Sequence, residues 1–283
     1  MAIAYESVAE TTFGGNLSLV IAKPAGLTVG DYMFAQVISV SGITWTAPAG
    51  WTELYQNTGA SNLGGSPTPC AVFYKQAESA DVAASNFTFS LGDAGGVVEQ
   101  TSGNIIRVSG FGALDGSVSQ KFDPISSSPH TFATSIDPVF VNGLSIWWSF
   151  AGDNVNVNPN ISSPSIATDN PTWTSRSSDI RSNAAGSAQR IVFTAPREAA
   201  TAFGDATITV TTNVGMINVI ANLAPLVSGG ATIETGTIRV VNQPFLRFGA
   251  LDVDGEDPII RKQSKTDWTN ETKPSTTWTN ETL

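Results

Sequence analysis

The fold is decided by the stretch Thr28-Val29-Gly30-Asp31, which leads into Tyr32-Met33-Phe34-Ala35-Gln36-Val37-Ile38-Ser39-Val40. Glycine and aspartate are typical of turns, and the segment that follows them is rich in β-branched and aromatic side chains. Clusters of Gly, Pro, Asn and Ser separate further runs of the same kind. These runs are 71–75, 87–91, 105–108, 144–150, 191–194, 207–211 and 217–220. The sequence therefore predicts an all-β protein with antiparallel strands.

The same order of elements recurs in the second part of the chain. Val141-Asn142-Gly143-Leu144 again leads into a β-rich run, and a Pro-containing Trp-Thr word follows in both parts, at 48–52 and at 171–174. The offset between the two copies is roughly 110–120 residues. We interpret this as internal duplication. The alternative is that both parts only show the pattern of turns and strands that antiparallel sheets have in common.

This duplication predicts how the chain is organised. Each half holds about five recognisable strands, so we expect two half-sandwiches that share one core between two sheets. The prediction is one jelly-roll-like β-sandwich over residues 1–226, with halves of about 1–118 and 119–226. Pro225 and the run Ser228-Gly229-Gly230 mark its end. Residues 227–260 are predicted to form a β arm or linker, and residues 261–283 an extended tail.

The tail contains one five-residue word twice. Trp268-Thr269-Asn270-Glu271-Thr272 recurs as Trp278-Thr279-Asn280-Glu281-Thr282. A word this short, rich in Thr and close to a Pro, builds neither a helix nor a core of its own, yet each copy carries a Trp that gains from burial. We predict that the tail docks onto another surface, by pairing with a neighbour's sheet edge or through several copies. The predicted docking residues are Trp268, Thr269, Asn270, Lys273, Pro274, Trp278, Thr279 and Asn280.

Charge and composition argue against several classes of function. The net charge is −10, whereas a surface that grips nucleic acid is basic, so we expect no nucleic-acid partner. No apolar run is long enough to cross a membrane, so we expect no membrane insertion. The first residues lack the basic and apolar regions of a signal peptide, and Cys70 is the single cysteine. Both features predict synthesis in a reducing cytoplasm.

No strong catalytic motif is present. His130 is the only histidine and follows a Ser-Pro pair, which predicts a surface loop rather than a catalytic base. Glu53, Glu78, Asp93 and Glu99 are candidate carboxylates for a glycosidase, but the sequence does not bring any two of them together. We therefore predict that the protein is not an enzyme and uses no cofactor.

Two further groups are candidate sites. Asp252, Asp254 and Asp257 lie around Gly255, and this alternation resembles the opening of a calcium loop; since the rest of that loop is missing, an acidic turn is the alternative. Trp147 and Trp148 are neighbours in a predicted strand, so one faces inward and the other outward. The outward one is a candidate glycan-binding or interface residue, unless a second sheet or a loop covers it.

Several words of the first half resemble a known group of proteins. They are the run Pro24-Ala25-Gly26-Leu27-Thr28-Val29-Gly30-Asp31, then Pro48-Ala49-Gly50-Trp51-Thr52, then Phe73-Tyr74-Lys75-Gln76-Ala77 and Asp81. In this order they resemble β-sandwich proteins encoded among the structural genes of tailed bacteriophages and prophages. The resemblance spans residues 20–115, and the second half extends it to about residue 226. The Trp-Thr tail is similar to the C-termini of phage virion proteins.

The resemblance implies a virion structural protein and brings no catalytic residues with it. The expected function is a non-enzymatic decoration or tail-fibre-like accessory of the head, neck or tail, located in the virion and anchored by its tail to other virion proteins. A docking tail of this kind works best at repeated sites, so we expect a homo-oligomer and hypothesise a trimer. The alternatives are an adsorption module that binds a host receptor or surface glycan, and a polysaccharide hydrolase.

Overall fold

The computed structural model describes most of the first 226 residues. It covers residues 2–15, 17–40, 43–58, 62–63, 66–92, 100–122, 129–132, 134, 136–137, 140–153, 160–167, 170–183, 186–198, 200–210 and 215–226. The chain divides into two units after Gly229, and all described residues belong to the first unit, which we call the body. The predicted arm (227–260) and tail (261–283) lie outside the described residues.

The regular secondary structure of the described residues is almost entirely β-strand, which confirms the all-β prediction. The first half contains β1 (Ala4–Gly15), β2 (Ser18–Ala22), β3 (Tyr32–Ser39), β4 (Trp45–Thr46), β5 (Thr52–Asn57), β6 (Asn62–Leu63), β7 (Ser66–Pro67), β8 (Cys70–Gln76), α1 (Ser79–Ala83), β9 (Asn86–Leu91) and β10 (Gln100–Ser109). The second half contains β11 (Phe111–Phe122), β12 (His130–Phe132), β13 (Gly143–Asp153), β14 (Ser165–Ile166), β15 (Thr174–Asn183), β16 (Gly186–Arg197), β17 (Ala206–Ile208) and β18 (Gly215–Pro225).

The two halves have the same topology. The large sheet of the first half has the strand order β1-β10-β3-β8-β5, and that of the second half has the order β11-β18-β13-β16-β15. The small sheets, β2-β9-β4 and β12-β17-β14, correspond in the same way. Every pairing is antiparallel. The predicted duplication is therefore present in the sheet topology; the short hairpin β6-β7 occurs only in the first half of the described chain.

Each half is itself a jelly-roll-like sandwich. When the corresponding strands are numbered along the chain and β6 and β7 are left out, the large sheet has the order 1-8-3-6-5 and the small sheet the order 2-7-4. The first strand thus lies beside the last, and the chain alternates between two sheets, as in a jelly roll. The fifth strand joins the large sheet, because β5 and β15 pair with β8 and β16.

The predicted sharing of a single core between the halves is corrected by this arrangement. Each half has a core of its own between its small and large sheets, and a third core lies between the two large sheets. The strands of the small sheets are two to six residues long, and such short strands are weak sequence signals. The boundary lies at Gly110, between β10 and β11, rather than near residue 118, which falls inside β11.

Alternation along the central strands separates these cores. In β3, Phe34 and Ile38 point into the core shared by the two large sheets, whereas Met33, Ala35 and Val37 point into the core of the first half. Strand β13 alternates in the same way between the shared core and the core of the second half. The body is therefore a stack of four sheets in the order small, large, large, small.

The turn before β3 has a backbone conformation and hydrogen bonds that favour the residues found there. Gly30 has φ 93°, and its counterpart Asn142 has φ 58°, a left-handed conformation that glycine and asparagine tolerate better than most residues. The Asp31 carboxylate accepts hydrogen bonds from Thr28 N at 2.9 Å and Oγ1 at 2.7 Å, and from Arg107 Nε at 2.7 Å. Burial alone would raise the pKa of Asp31, but the hydrogen bonds from Thr28 and the Arg107 guanidinium outweigh it and lower this pKa.

The two Trp-Thr words occupy equivalent places. Trp51 directly precedes β5 and packs against Phe87 and Phe89, with ring centroids 5.6 and 5.3 Å away, in the first-half core. Trp173 directly precedes the counterpart strand β15 and packs edge-on against Trp147 at 5.7 Å in the second-half core. The repeated word in the sequence therefore marks a repeated core position.

Replacing Asp31 tests the turn. Because the pKa of Asp31 is depressed in the folded state, its carboxylate stabilises the fold above the unfolded pKa of about 3.9, and this contribution is lost as the pH falls below that value. Asp31→Asn should lower the free energy of unfolding by about 1.5–3 kcal/mol at neutral pH, and by less in acid. Urea unfolding at neutral pH and near pH 3 measures both values. The exposed Asp205→Asn is the control, and an equal loss at both pH values would contradict this account.

Truncating Trp173 tests the core of the second half. Trp173→Ala should lower the free energy of unfolding by about 3–5 kcal/mol, since a buried aromatic side chain is replaced by a cavity. Trp173→Phe should lose less, because most of the packed surface is kept. Val141→Ala, at an exposed position, is the control. Thermal unfolding followed by circular dichroism measures these changes, and equal stability of Trp173→Ala and the control would show that Trp173 is not a core residue.

Candidate functional site

The predicted docking and calcium residues lie outside the described residues. The docking residues are Trp268, Thr269, Asn270, Lys273, Pro274, Trp278, Thr279 and Asn280, and the calcium candidates are Asp252, Asp254 and Asp257. Both remain predictions from the sequence. Within the body, no three His, Cys, Asp or Glu side chains that the structure describes are grouped to hold a metal ion.

Trp147 and Trp148 point to opposite faces of β13, as predicted, but neither is exposed. Trp147 lies in the second-half core, where its indole N–H donates to Asn218 Oδ1 at 3.0 Å. Trp148 lies in the shared core, with its ring centroid 5.8 Å from that of Phe34. Both are 0% exposed, because sheets cover the large sheet on its two faces. The alternative to a glycan-binding or interface residue, that a second sheet covers the outward tryptophan, is therefore the one that the folded body shows.

The prediction for His130 is also corrected. His130 does not lie in a surface loop but in β12, where it pairs with Ile208, and its side chain is only 5% exposed. Burial lowers the pKa of its imidazole, so the neutral form is favoured. A strand of the small sheet holds His130 in place as part of the fold.

The candidate carboxylates do not converge on a cleft among the described residues. Asp93 and Glu99 lie outside them, and Glu53 is exposed and accepts a hydrogen bond from Gln56. Glu78 precedes α1, where its backbone N–H donates to Asp81 at 2.8 Å. Asp81 also pairs with Lys75 at 2.8 Å, so these side chains fix the turn into the helix.

The cavity between β1 and β2 is small. It measures about 160 Å³ and is lined by Thr11, Thr12, Gly14, Ser18, Leu19, Val20 and Thr101. Sites for small-molecule ligands usually measure about 300–1,000 Å³ and bury most of the ligand. This cavity is therefore too small for a sugar chain or a drug-sized ligand.

A charged cluster with a buried guanidinium lies where the halves meet, and the sequence did not reveal it. Arg190 projects from β16 and is 0% exposed. Its Nε donates to Ser102 Oγ of the first half at 2.7 Å, and its Nη1 donates to Ser177 Oγ at 2.6 Å. A sequence signal existed, since Arg190 directly precedes the apolar residues Ile191, Val192 and Phe193, but only the fold shows which residues face it.

Two carboxylates complete this group. Glu10 Oε2 lies 3.8 Å from Arg190 Nη2 and accepts from Ser177 Oγ at 2.6 Å. Asp179 accepts from the Phe13 N–H at 2.8 Å and from Ser102 Oγ at 2.6 Å. Burial lowers the pKa of Arg190 to about 10, and the charges of Asp179 and Glu10 oppose that shift. We call Glu10, Ser102, Ser177, Asp179 and Arg190 the inter-half cluster.

A neutral polar contact also crosses the shared core. Asn104 Nδ2 donates to Gln36 Oε1 at 2.8 Å. Gln36 Nε2 in turn donates to the backbone carbonyls of Ser149 at 3.0 Å and Ile191 at 3.1 Å. Both carbonyls belong to the large sheet of the second half, so the contact holds the two large sheets in register.

The inter-half cluster breaks the symmetry of the duplication. Arg190 pairs with Phe150 in the second half, and at the corresponding place in the first half Cys70 pairs with Ile38. Ser102 of the first half likewise corresponds to Ile217 of the second half. Ser102 pairs with Ile38, and Ile217 pairs with Phe150, which occupies the place of Ile38 in the second half. The polar residues therefore occur in only one of the two equivalent positions. Such a group specifies which surfaces of the halves meet.

Each half has one small sheet, and the face of that sheet that points away from the core forms an outer surface of the body. Outer face 1 consists of the exposed residues Ser18, Val20, Ala22, Thr46, Asn86, Thr88 and Ser90. Outer face 2 consists of Thr131, Ser165 and Thr207, of which Thr207 is half-buried. Thr131 Oγ1 and Thr207 Oγ1 are hydrogen-bonded at 3.1 Å across β12 and β17. Both faces carry short, uncharged side chains, mostly hydroxyl groups.

Comparison with known proteins adds no relative. No protein-family model matches the chain, and no curated protein or solved structure is significantly similar to it. In the described part of the chain, no helix has the length and apolar character needed to span a membrane. The function is therefore inferred from the residues themselves.

Replacing Arg190 tests the inter-half cluster. Arg190→Ala should lower the free energy of unfolding by about 3–5 kcal/mol, because it leaves buried hydrogen-bonding groups without their partner. Arg176→Ala is the matched control: Arg176 is half-buried, lies 4.1 Å over the Tyr5 ring and donates to Thr194 Oγ1 at 2.7 Å, and its loss should cost about 1–2 kcal/mol. Urea unfolding of both variants compares them directly. A loss no larger for Arg190→Ala than for Arg176→Ala would show that the cluster does not hold the halves together.

Proposed function

We propose that this protein is a non-enzymatic structural component of a phage virion, a decoration or fibre-like accessory of the head, neck or tail. In this proposal the body is displayed and the C-terminal repeat attaches it to the particle. The sequence resemblance to structural proteins of tailed bacteriophages supports the proposal, as does the all-β body.

The observation that carries the proposal is the distribution of the tryptophans. The chain has seven, and five of them belong to the body. Trp45, Trp51, Trp147, Trp148 and Trp173 all lie in or against the body's cores. The remaining two, Trp268 and Trp278, occupy the same position in the two copies of the tail word. Aromatic side chains dominate the energetics of protein interfaces, so the tail is the part best equipped to dock.

The polar residues of the body support a structural role rather than a chemical one. Asp31 closes a turn with Thr28, Asp81 anchors α1, and Arg190 joins the halves. Each of these charged side chains is thus used by the fold itself. Glycan binding through Trp147 or Trp148 loses its basis, because both indoles are buried in the folded body.

Deleting residues 264–283 tests the proposal. The truncated protein should keep the thermal stability of the full chain, since the body's cores lie in residues 2–226, and it should be lost from purified particles. Immunoblotting of particles assembled with either form measures incorporation, and circular dichroism measures stability.

Substitutions within the tail sharpen this test. Trp268→Ala combined with Trp278→Ala should reproduce the loss of incorporation. Ser275→Ala combined with Thr276→Ala, between the two words, is the matched control and should be incorporated normally. Truncated protein present in particles at the level of the full chain would overturn the proposed docking role.

A further inference from the structure

We propose that the surface bound by the tail is a second copy of this chain, with each Trp-Thr-Asn-Glu-Thr word seated on the outer face of one small sheet. This inference depends on the proposed docking role of the tail and adds the identity of its partner. Its starting point is a match of two duplications. The body presents one kind of surface twice, and the tail presents one word twice.

The chemistry of the outer faces suits the word. Val20 is 47% exposed in the middle of the edge strand β2, and Thr88 lies directly opposite it on β9, the central strand of outer face 1. Their methyl groups offer an indole ring a flat apolar contact, and the surrounding hydroxyl and amide groups can bond to the Thr and Asn side chains of the word. On outer face 2, Thr131 and Thr207 form the corresponding pair.

Charge favours the same surfaces. Each word carries a single charged side chain, Glu271 or Glu281, and the whole chain has a net charge of −10. An acidic word is repelled by much of such a protein. The outward-facing strand residues of the two outer faces are all uncharged. The acidic word can therefore approach these faces without meeting a carboxylate from their strands.

The length of the chain allows a neighbouring copy to be reached. The described part of the body ends at Leu226, and residues 227–267 precede the first word. Fully extended, this segment spans on the order of 130 Å, several times the thickness of four stacked sheets. Reach therefore does not restrict the tail to its own body.

The spacing of the words excludes a clasp around one body. Trp268 and Trp278 are ten positions apart, which corresponds to at most about 35 Å of extended chain. The outer faces lie on opposite sides of four sheets, about 30 Å apart in a straight line through the body, and the path around its edge is considerably longer. The two words of one tail must therefore bind faces of different copies, so that tails link bodies into a larger assembly.

Counting bound peptides tests the inference. The receptor is the full chain carrying Trp268→Ala and Trp278→Ala, so that its own tail does not compete. The probe is a synthetic peptide of residues 266–274, which contains one word. Equilibrium dialysis at peptide concentrations up to about 1 mM, the range of a tethered ligand's effective concentration, should find two peptides per chain. A peptide with Ala in place of Trp268 should not bind.

Substitutions on the faces assign the two sites. Val20→Glu should lower the number of bound peptides from two to one, Thr131→Glu should do the same, and the combined variant should bind none. Matched controls place the same charge on exposed residues away from the faces: Val29→Glu, 63% exposed, and Val141→Glu, 53% exposed, should each keep two sites. Circular dichroism confirms that every variant is folded.

The outcomes separate this inference from the proposed function. Absence of binding at about 1 mM, or binding that survives both face substitutions, would overturn the inference. If deletion of residues 264–283 still prevents incorporation into particles, the docking role stands and its partner is another virion protein. If the deletion has no effect on incorporation, the proposed function itself fails.

Discussion

Burial of each large sheet on both faces is the constraint on which the rest of the structure depends. In β18, every residue from Gly215 to Ala224 is buried, so neither face of the strand can carry a side chain that needs water. Polar groups on such strands must find partners inside the protein. Asn218 does so by accepting from the Trp147 N–H and the Ser149 hydroxyl. Two-sided burial thus makes polar residues such as Asn218 form specific contacts within the large sheets.

The same constraint explains why the two halves differ where they meet. Two identical halves packed through identical apolar sheets could slide or rotate with little penalty, because apolar contacts are not directional. Arg190 and Ser102, which replace the apolar character seen at Cys70 and Ile217, have defined hydrogen-bond directions and meet in one arrangement only. We infer that divergence of the halves was what fixed their packing, with the burial of a guanidinium as its energetic cost.

The sequence predicted the strands and the duplication because both leave local patterns: the turn at Gly30, the alternating runs, and the Trp-Thr words that lead to Trp51 and Trp173. It did not predict that each half has a core of its own, since strands as short as β4 and β14 have no recognisable period. Nor could alternation decide the exposure of Trp148, because a period of two shows that a side chain points away from its neighbour but not what lies beyond it. The inter-half cluster was missed for a related reason: Glu10 and Arg190 are far apart in sequence, and only the packing of β1 and β16 joins them.

In the proposed function, stability and attachment are carried by different parts of this chain. In a small domain, tryptophans often serve both the core and an interface, and a substitution then affects folding and binding together. Here the five tryptophans of the body lie in or against its cores, and its outer faces keep short, uncharged side chains. Such a surface adheres weakly to other proteins unless a ligand brings its own aromatic groups, because hydroxyl groups exchange water for protein partners with little net gain. In the proposed docking, a repeated word with one indole per copy would supply what the faces lack, and repetition would compensate for the weakness of each contact.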